Sequence, residues 1–222
     1  VYHLLDHLDV ILPELSQAKV FTVCDLRYAF FHCVLDKPSQ LKCTMSTPWG
    51  RYAWKRLAMG LNVSSQIYAK KMAEILEPLN GCKAIADDVL IFGRGSTKSE
   101  AQIDHDKNLT AFLERCRQFG IRLNKSKLKV NCDSVKFMGH ILTPNGLKID
   151  KSKVKAILEA KIPDSKESVR QLIGAATFLA RYAPNFSEVT APLRELLREK
   201  NEFLWEPTVH GVALNKLNEL LT

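Results

Sequence analysis

No apolar run in this chain approaches the roughly 20 residues that a membrane-spanning helix requires. The first residues, VYHLLDHLDVILPEL, carry charges where a secretory signal would be apolar. Both absences point away from membranes and toward a cytosolic or nuclear setting. The six cysteines (Cys24, Cys33, Cys43, Cys82, Cys116, Cys132) form no C-x-x-C pair and have no histidine at zinc-ligand spacing, so they read as reduced thiols with no assigned chemistry. Internal repeats and low-complexity tracts are missing as well. The chain begins without methionine and ends on LNKLNELLT, in mid-helical pattern; the expectation is a segment of something longer.

What is present is an ordinary globular balance, 46% hydrophobic and 25% charged over 222 residues, with a formal net charge of +8. The excess is uneven. Between Ile121 and Lys161 ten basic residues face three acidic ones. In NKSKLKV the lysines alternate with apolar residues, which suggests a strand with one solvated face; as a cluster they also suit a nucleic-acid backbone.

Along the chain, Leu4, Leu5, Leu8 and Ile11 or Leu12 have helical spacing broken by Pro13, and an apolar run from Val20 to Cys24 predicts a strand ending in Asp25. Residues 36–54, punctuated by Pro38, Pro48 and Gly50, suggest a hairpin or two. Tyr68, Met72, Ile75, Leu76 and Leu79 form one helix face, with Ser64 or Ser65 as its cap. A hairpin over AIADDVLIF follows, then a helix over HDKNLTAFLERCRQF stopped by Gly120. Next come strands IRLNKSKLKV and SVKFMGHILT and a short helix capped by Asp150. Asp164 and Glu167 have capping-box spacing before Val169, Leu172, Ile173 and Ala176, and Thr190 is the expected cap of another helix. From Phe203 a further region begins. Short strands interleaved with helices make the class α+β.

Chemistry concentrates at Asp87 and Asp88. A two-residue hairpin turn usually needs Asn-Gly or Asp-Gly, because φ must become positive, so Asp-Asp is a poor turn on its own. Two carboxylates about 4 Å apart repel by roughly 4 kcal/mol at an effective dielectric of about 20. A cation removes that cost, and carboxylates are the usual ligands of Mg²⁺. Asp25, ending another apolar strand, is the candidate third ligand. A bare Asp-Asp elsewhere is most often a solvated turn.

FTVCDLRYAFFHCVL, TPWGRYAWKRLAMGLNVSSQIYAKKM, AIADDVLIFG, FGIRLNKSKLKV and VKFMGHILTPNGLKID occur in the order and spacing of the palm motifs of reverse transcriptases from gypsy-type LTR retrotransposons and retroviruses, which this chain resembles. The tail IPDSKESVRQLIGAATFLARYAPNFSEVTAPLRELL is similar to that family's thumb. The resemblance implies a right-hand polymerase: an α+β palm over 1–149 with a ferredoxin- or RRM-like antiparallel sheet, partial fingers at about 34–63, a helical thumb over 150–202, and the start of a connection or RNase H-like region over 203–222. It further implies an RNA-directed DNA polymerase using Mg²⁺, with Mn²⁺ as a substitute.

In this resemblance Asp25, Asp87 and Asp88 are the catalytic triad, with the Leu26 carbonyl as a further metal ligand. Backbone amides of Tyr28 and Ala29 face the incoming triphosphate, and Phe30 sits under its sugar as a gate against ribose. Met59 and Gly60 line the nucleotide site, with Lys125 or Lys127 near the phosphates. Ile85 and the primer-grip residues Phe137, Met138, Gly139 and His140 meet primer and template. The implied partners are an RNA or DNA template-primer, deoxynucleoside triphosphates and the rest of a Pol polyprotein (upstream fingers, RNase H, integrase, protease). The implied setting is the cytoplasm, in a virus-like particle, and the nucleus. Three departures stand out: Ile85 at the tyrosine position of Y-x-D-D, Ala58-Met59 where the gypsy pattern has Pro-Phe, and Ser64-Ser65 where it has Ala-Pro. A second class is compatible with the same residues, a degenerate or repurposed retroelement fragment that binds nucleic acid or a partner without turnover.

Overall fold

A computed structural model describes residues 8–221. The chain divides into two compact units, Val1–Leu147 and Lys148–Thr222. In the first, α1 (Leu8–Ile11) passes through a 3-10 turn at Pro13 into β1 (Ala18–Asp25). Then come α2 (Lys37–Lys42), β2 (Thr44–Thr47), β3 (Gly50–Ala53), α3 (Ser64–Leu76), β4 (Cys82–Ile85), β5 (Asp88–Arg94), α4 (Lys98–Phe119) and β6 (Lys129–Cys132). The main sheet has the order β4-β5-β1-β6 with every pairing antiparallel. A second sheet follows, β7 (Val135–Phe137), β8 (His140–Thr143) and β9 (Gly146–Ile149).

The unbroken apolar runs of β1 and β5 are explained by burial of both sheet faces. Alternate side chains point to opposite sides: Cys24, Val89 and Ile91 join Tyr68, Met72 and Phe112 in one core, while Phe21, Val23, Leu90 and Phe92 join Ile11, Phe137 and Leu142 in another. Gly93 lets α4 approach β5 closely, because a Cβ there would lie 2.0 Å from the Ala101 carbonyl oxygen.

Several local expectations are corrected. Neither Ser64 nor Ser65 caps α3: its N-cap is Val63, and the Ser64 hydroxyl donates instead to the Ala58 carbonyl at 2.6 Å. Residues 36–54 hold one hairpin as expected, but also an unforeseen helix before it, because Asp36 accepts from the Ser39 amide and starts α2 with Pro38 in its first turn. Helix α4 begins at Lys98, earlier than its apolar spacing suggests, on a capping box between Thr97 and Glu100; its first turn is polar and solvated. IRLNKSKLKV is not one strand. It contains a lone bridge from Leu123 to Leu26 and a 3-10 turn over Lys125–Lys127, since the Asn124 side chain accepts from the Ser126 amide and bends the backbone. SVKFMGHILT folds back on itself at Met138-Gly139, where both residues have positive φ, as a tight hairpin requires.

The second unit packs α5 (Lys151–Leu158), α6 (Lys166–Thr177), α7 (Phe186–Glu195) and α8 (Val212–Leu221) around Ile157, Val169, Leu172, Leu179, Leu193 and Leu217. Asp150 caps α5 by accepting from the Ser152 amide. The box on α6 is Ser165 with Ser168, one residue beyond Asp164 and Glu167, and Glu167 pairs with Arg170 instead. Thr190 lies inside α7, its buried hydroxyl donating to the Phe186 carbonyl, and the helix begins after Asn185 at φ 58°. Phe203 and Trp205 pack on this same core.

Candidate active site

The site starts from strand register. Asp25, last in β1, lies opposite Asp88, first in β5, and Asp88 in turn pairs with Ile85 of β4. A two-residue turn, Ala86-Asp87, joins β4 to β5. Ala86 adopts φ 51°, a left-handed conformation that costs an L-residue about 1–2 kcal/mol. The turn is tied to β1 by the Leu26 amide, which donates to the Asp87 carbonyl at 2.9 Å. Three carboxylates thus gather at one end of the sheet, just where its burial stops.

Their electrostatics are mutually unfavourable. Burial raises the pKa of Asp87 above the usual carboxylate value, the charge of Asp25 raises it further, and only Lys127 opposes the shift. Asp88 is raised by burial, by Asp25 and by Asp87, against the same lysine. The Lys127 ammonium bridges Asp25 at 2.8 Å, and its own pKa is raised by that bond. The Asn124 amide donates to the other Asp25 oxygen at 3.2 Å, and its backbone N–H donates to the Asp25 carbonyl. Both carboxylate oxygens of Asp25 are therefore engaged, and among the described residues no group of three or more His, Cys, Asp or Glu side chains is arranged so that it could hold a metal ion. By the chemistry of its donors alone, the set suits a hard divalent ion. All three side chains offer oxygen, and such an ion keeps waters and borrows substrate phosphates for the rest of its shell.

Of the remaining candidates, Phe30, Ile85 and Met138 share a cavity with Asp87. Leu26 is buried against the core. Tyr28, exposed and at φ 58°, precedes a 3-10 turn over Ala29–His32; amides at the start of such a turn lack partners within it. Phe30 is half-buried and packs on Tyr68 with ring centroids 5.2 Å apart. Phe30, Tyr68, Ile85, Ala86, Asp87 and Met138 line one cavity of about 760 Å³. It therefore brings together residues to which the resemblance assigns the gate, the Y-x-D-D position and the primer-grip turn. Phe137 and His140 are buried on either side of that turn. Met59 is exposed; Gly60 has φ +85° with open space where a Cβ would sit, so its requirement for glycine is conformational. Lys125 is exposed in the same 3-10 turn as Lys127, but it is Lys127 that reaches a carboxylate.

Two participants were missed in the sequence. Asn124 carries no catalytic signature, although its position one before the lysine pair was a usable signal. The Tyr68 hydroxyl is buried and has no hydrogen-bond partner among the described residues; in the sequence Tyr68 is one more residue of an apolar helix face.

The family profile of reverse transcriptases (RNA-dependent DNA polymerases) matches residues 4–142. The chain belongs to that family. It is 26% identical over 219 residues to the retrovirus-related Pol polyprotein from transposon 297 of Drosophila melanogaster, covering 98% of this chain and 20% of the relative. Against the Pol polyprotein from transposon gypsy of the same organism, identity is 30% over 194 residues, covering 86% of this chain and 18% of the relative. The chain thus spans about a fifth of those polyproteins. Among solved structures it superposes on the foamy viral protease-reverse transcriptase in complex with an RNA/DNA hybrid, with a TM-score of 0.85 at 23% identity, covering 100% of this chain and 30% of that one. The α+β fold with antiparallel sheets is that of a reverse transcriptase polymerase domain, and the family uses divalent metal ions.

Proposed function

We propose that this chain is the polymerase core of a retroelement Pol polyprotein, adding deoxynucleotides to a primer 3′ end on an RNA or DNA template. The observation that carries the reading is the convergence of Asp25, Asp87 and Asp88 at one sheet end, with raised carboxylate pKa values on Asp87 and Asp88 and one lysine in opposition. Asp25, Asp87 and Asp88 would hold Mg²⁺, or Mn²⁺ in its place, with the Leu26 carbonyl as a further ligand. When bound there, the metal supplies Lewis-acid stabilisation of the attacking and leaving oxygens.

The protein's own groups do the rest. Tyr28 and Ala29 offer amides to the triphosphate, and Phe30, braced by Tyr68, shapes the floor under the sugar. Met59 and Gly60 complete the nucleotide site. Lys127, freed from Asp25, is placed to give a proton toward the departing pyrophosphate. Ile85, Met138 and Gly139 meet the primer terminus, with Phe137 and His140 fixing their turn. The partners are template-primer, deoxynucleoside triphosphates and other Pol segments such as fingers, RNase H, integrase and protease; the setting is a cytoplasmic virus-like particle and the nucleus. The reading is supported by foamy viral neighbours solved with an RNA/DNA hybrid and with double-stranded DNA.

The test is Mg²⁺-dependent primer extension on an RNA template, with Asp87→Asn in parallel. Extension by the parent chain that the variant loses, with template binding kept, is the expected result. Equal extension by both would sink the proposal.

A further inference from the structure

A second cavity, of about 580 Å³, is lined by Arg27, Tyr28, Phe31, His32, Trp54 and Arg56, with Lys55, Phe119 and Arg122 completing its wall. None of the three site carboxylates lines it, and it shares no residue with the cavity that holds Phe30 and Asp87. Four cations, Arg27, Lys55, Arg56 and Arg122, surround it. No acidic residue lines it, and none of the four makes an ion pair among the described residues. Gathering like charges without a counter-charge costs stability, and an anion is the chemistry that would relieve it.

The rest of the wall is aromatic and ordered. The Arg27 guanidinium sits 5.0 Å from the centre of the Tyr28 ring. Tyr28 stacks on Phe31 at 6.2 Å, and Phe31 stacks on Trp54 at 5.8 Å. His32 locks this ladder to the opposite wall. Its Nδ1–H donates to the Ala29 carbonyl and its Nε2 accepts from the Arg122 amide at 3.0 Å, which requires the neutral imidazole. The Arg27 amide donates to the Arg122 carbonyl at 2.8 Å, a second tie across the cavity.

Guanidinium groups bind phosphate oxygens in bidentate fashion, and aromatic rings stack on bases without sequence preference. The volume lies within the range of single small-molecule sites, whereas a nucleic-acid strand needs a groove tracking several nucleotides. We propose that this cavity is a second nucleotide site, binding a free nucleoside polyphosphate with its phosphates on Arg27, Arg56 and Arg122 and its base on the Tyr28-Phe31-Trp54 ladder. It takes its ligand without divalent metal and without primer; Tyr28 borders both sites, its amide facing the polymerase nucleotide and its ring lining this cavity.

Calorimetric titration of the chain with ATP in excess EDTA tests this, with inorganic tripolyphosphate, adenosine and a short oligodeoxythymidine as comparison ligands. Saturable ATP binding is expected, at least about tenfold tighter than tripolyphosphate or adenosine. Arg122→Gln and Arg56→Gln should each weaken it about tenfold or more, as loss of a charge-assisted hydrogen bond does. Arg122 and Arg56 are exposed, so unchanged melting of both variants would show that their folds persist. Asp87→Asn should bind ATP as the parent does. Absence of saturable binding, equal affinity for tripolyphosphate, insensitivity to both arginine changes, or tighter binding of the oligonucleotide would each overturn the assignment. Primer extension on the same preparations keeps the two readings apart. Extension without ATP binding removes this site and leaves the polymerase standing; ATP binding without extension does the reverse.

Discussion

Asp25 and Arg27 are two residues apart at the end of β1, yet they serve surroundings of opposite charge. Around Asp25 the sheet gathers three carboxylates and answers them in part, with Lys127 and Asn124 bound to Asp25 while Asp87 and Asp88 stay raised in pKa. Around Arg27 the 3-10 turn and its neighbours gather four cations and answer them with aromatic rings, but with no carboxylate. The difference teaches how one strand end can carry two ligand demands. On the two proposals, the half-compensated acids would take a cation that displaces the lysine, and the uncompensated bases an anion.

The comparison breaks most sharply under crossed substitution. Asp87→Asn should lower nucleotide incorporation at least about a thousandfold without touching ATP affinity in EDTA; a matching loss in both assays would merge the two sites into one. Lys127→Ala comes next. It removes the group that opposes the rise in Asp87 and Asp88 pKa, so the acid limb of the pH-rate profile should move to higher pH, and the rate should fall about a hundredfold if the lysine is the proton donor. A rate loss with an unmoved acid limb would detach Lys127 from the carboxylates.

Phe30→Val sharpens the boundary between the cavities, since Phe30 lines the one with Asp87 and not the one with Arg27. Ribonucleotide incorporation relative to deoxynucleotide should rise about tenfold, a discrimination expected of steric contacts, and steady-state incorporation ratios would show it. His32 gives a smaller, pH-dependent effect. Burial, together with Arg122 and Arg56, lowers its pKa below the ordinary 6.5, against the pull of the Ala29 carbonyl. Its contribution to stability is therefore complete above pH 6.5 and is lost as pH falls through the lowered value, because the unfolded chain takes up the proton first. Denaturant unfolding at a series of pH values should show that slope in the parent and less of it in His32→Gln. The smallest effect is at Ala86, whose positive φ is better suited to glycine. Ala86→Gly should stabilise the chain by up to about 1 kcal/mol, seen as a higher melting temperature.

How legible this was in the sequence differs by region. The carboxylates announced themselves, because Asp87 and Asp88 break an apolar run that burial of both sheet faces explains and Asp25 ends another. The loop that answers them did not. Its alternating lysines mimic a strand, and the bend depends on the side chain of Asn124 bonding its own backbone neighbourhood, a local competition that hydrophobic periodicity cannot register. The hairpin at Met138-Gly139 was obscured in the same way, since two positive φ values are a backbone property and Met is an unusual residue for one of them. Helix α3 was legible from its buried face, but not its start, where Ser64 serves a carbonyl outside the helix. The arginine cavity draws its walls from residues 27–32, 54–56 and 119–122, and nothing in those three segments taken singly marks them as one site.

The most direct measurement is a Mn²⁺ titration followed by electron paramagnetic resonance, comparing the parent chain with Asp87→Asn and Arg122→Gln. The account predicts saturable depletion of free Mn²⁺ by the parent and by Arg122→Gln, and at least tenfold weaker uptake by Asp87→Asn. Equal uptake by all three proteins would contradict it, because the cation would then be bound somewhere other than the turn between β4 and β5.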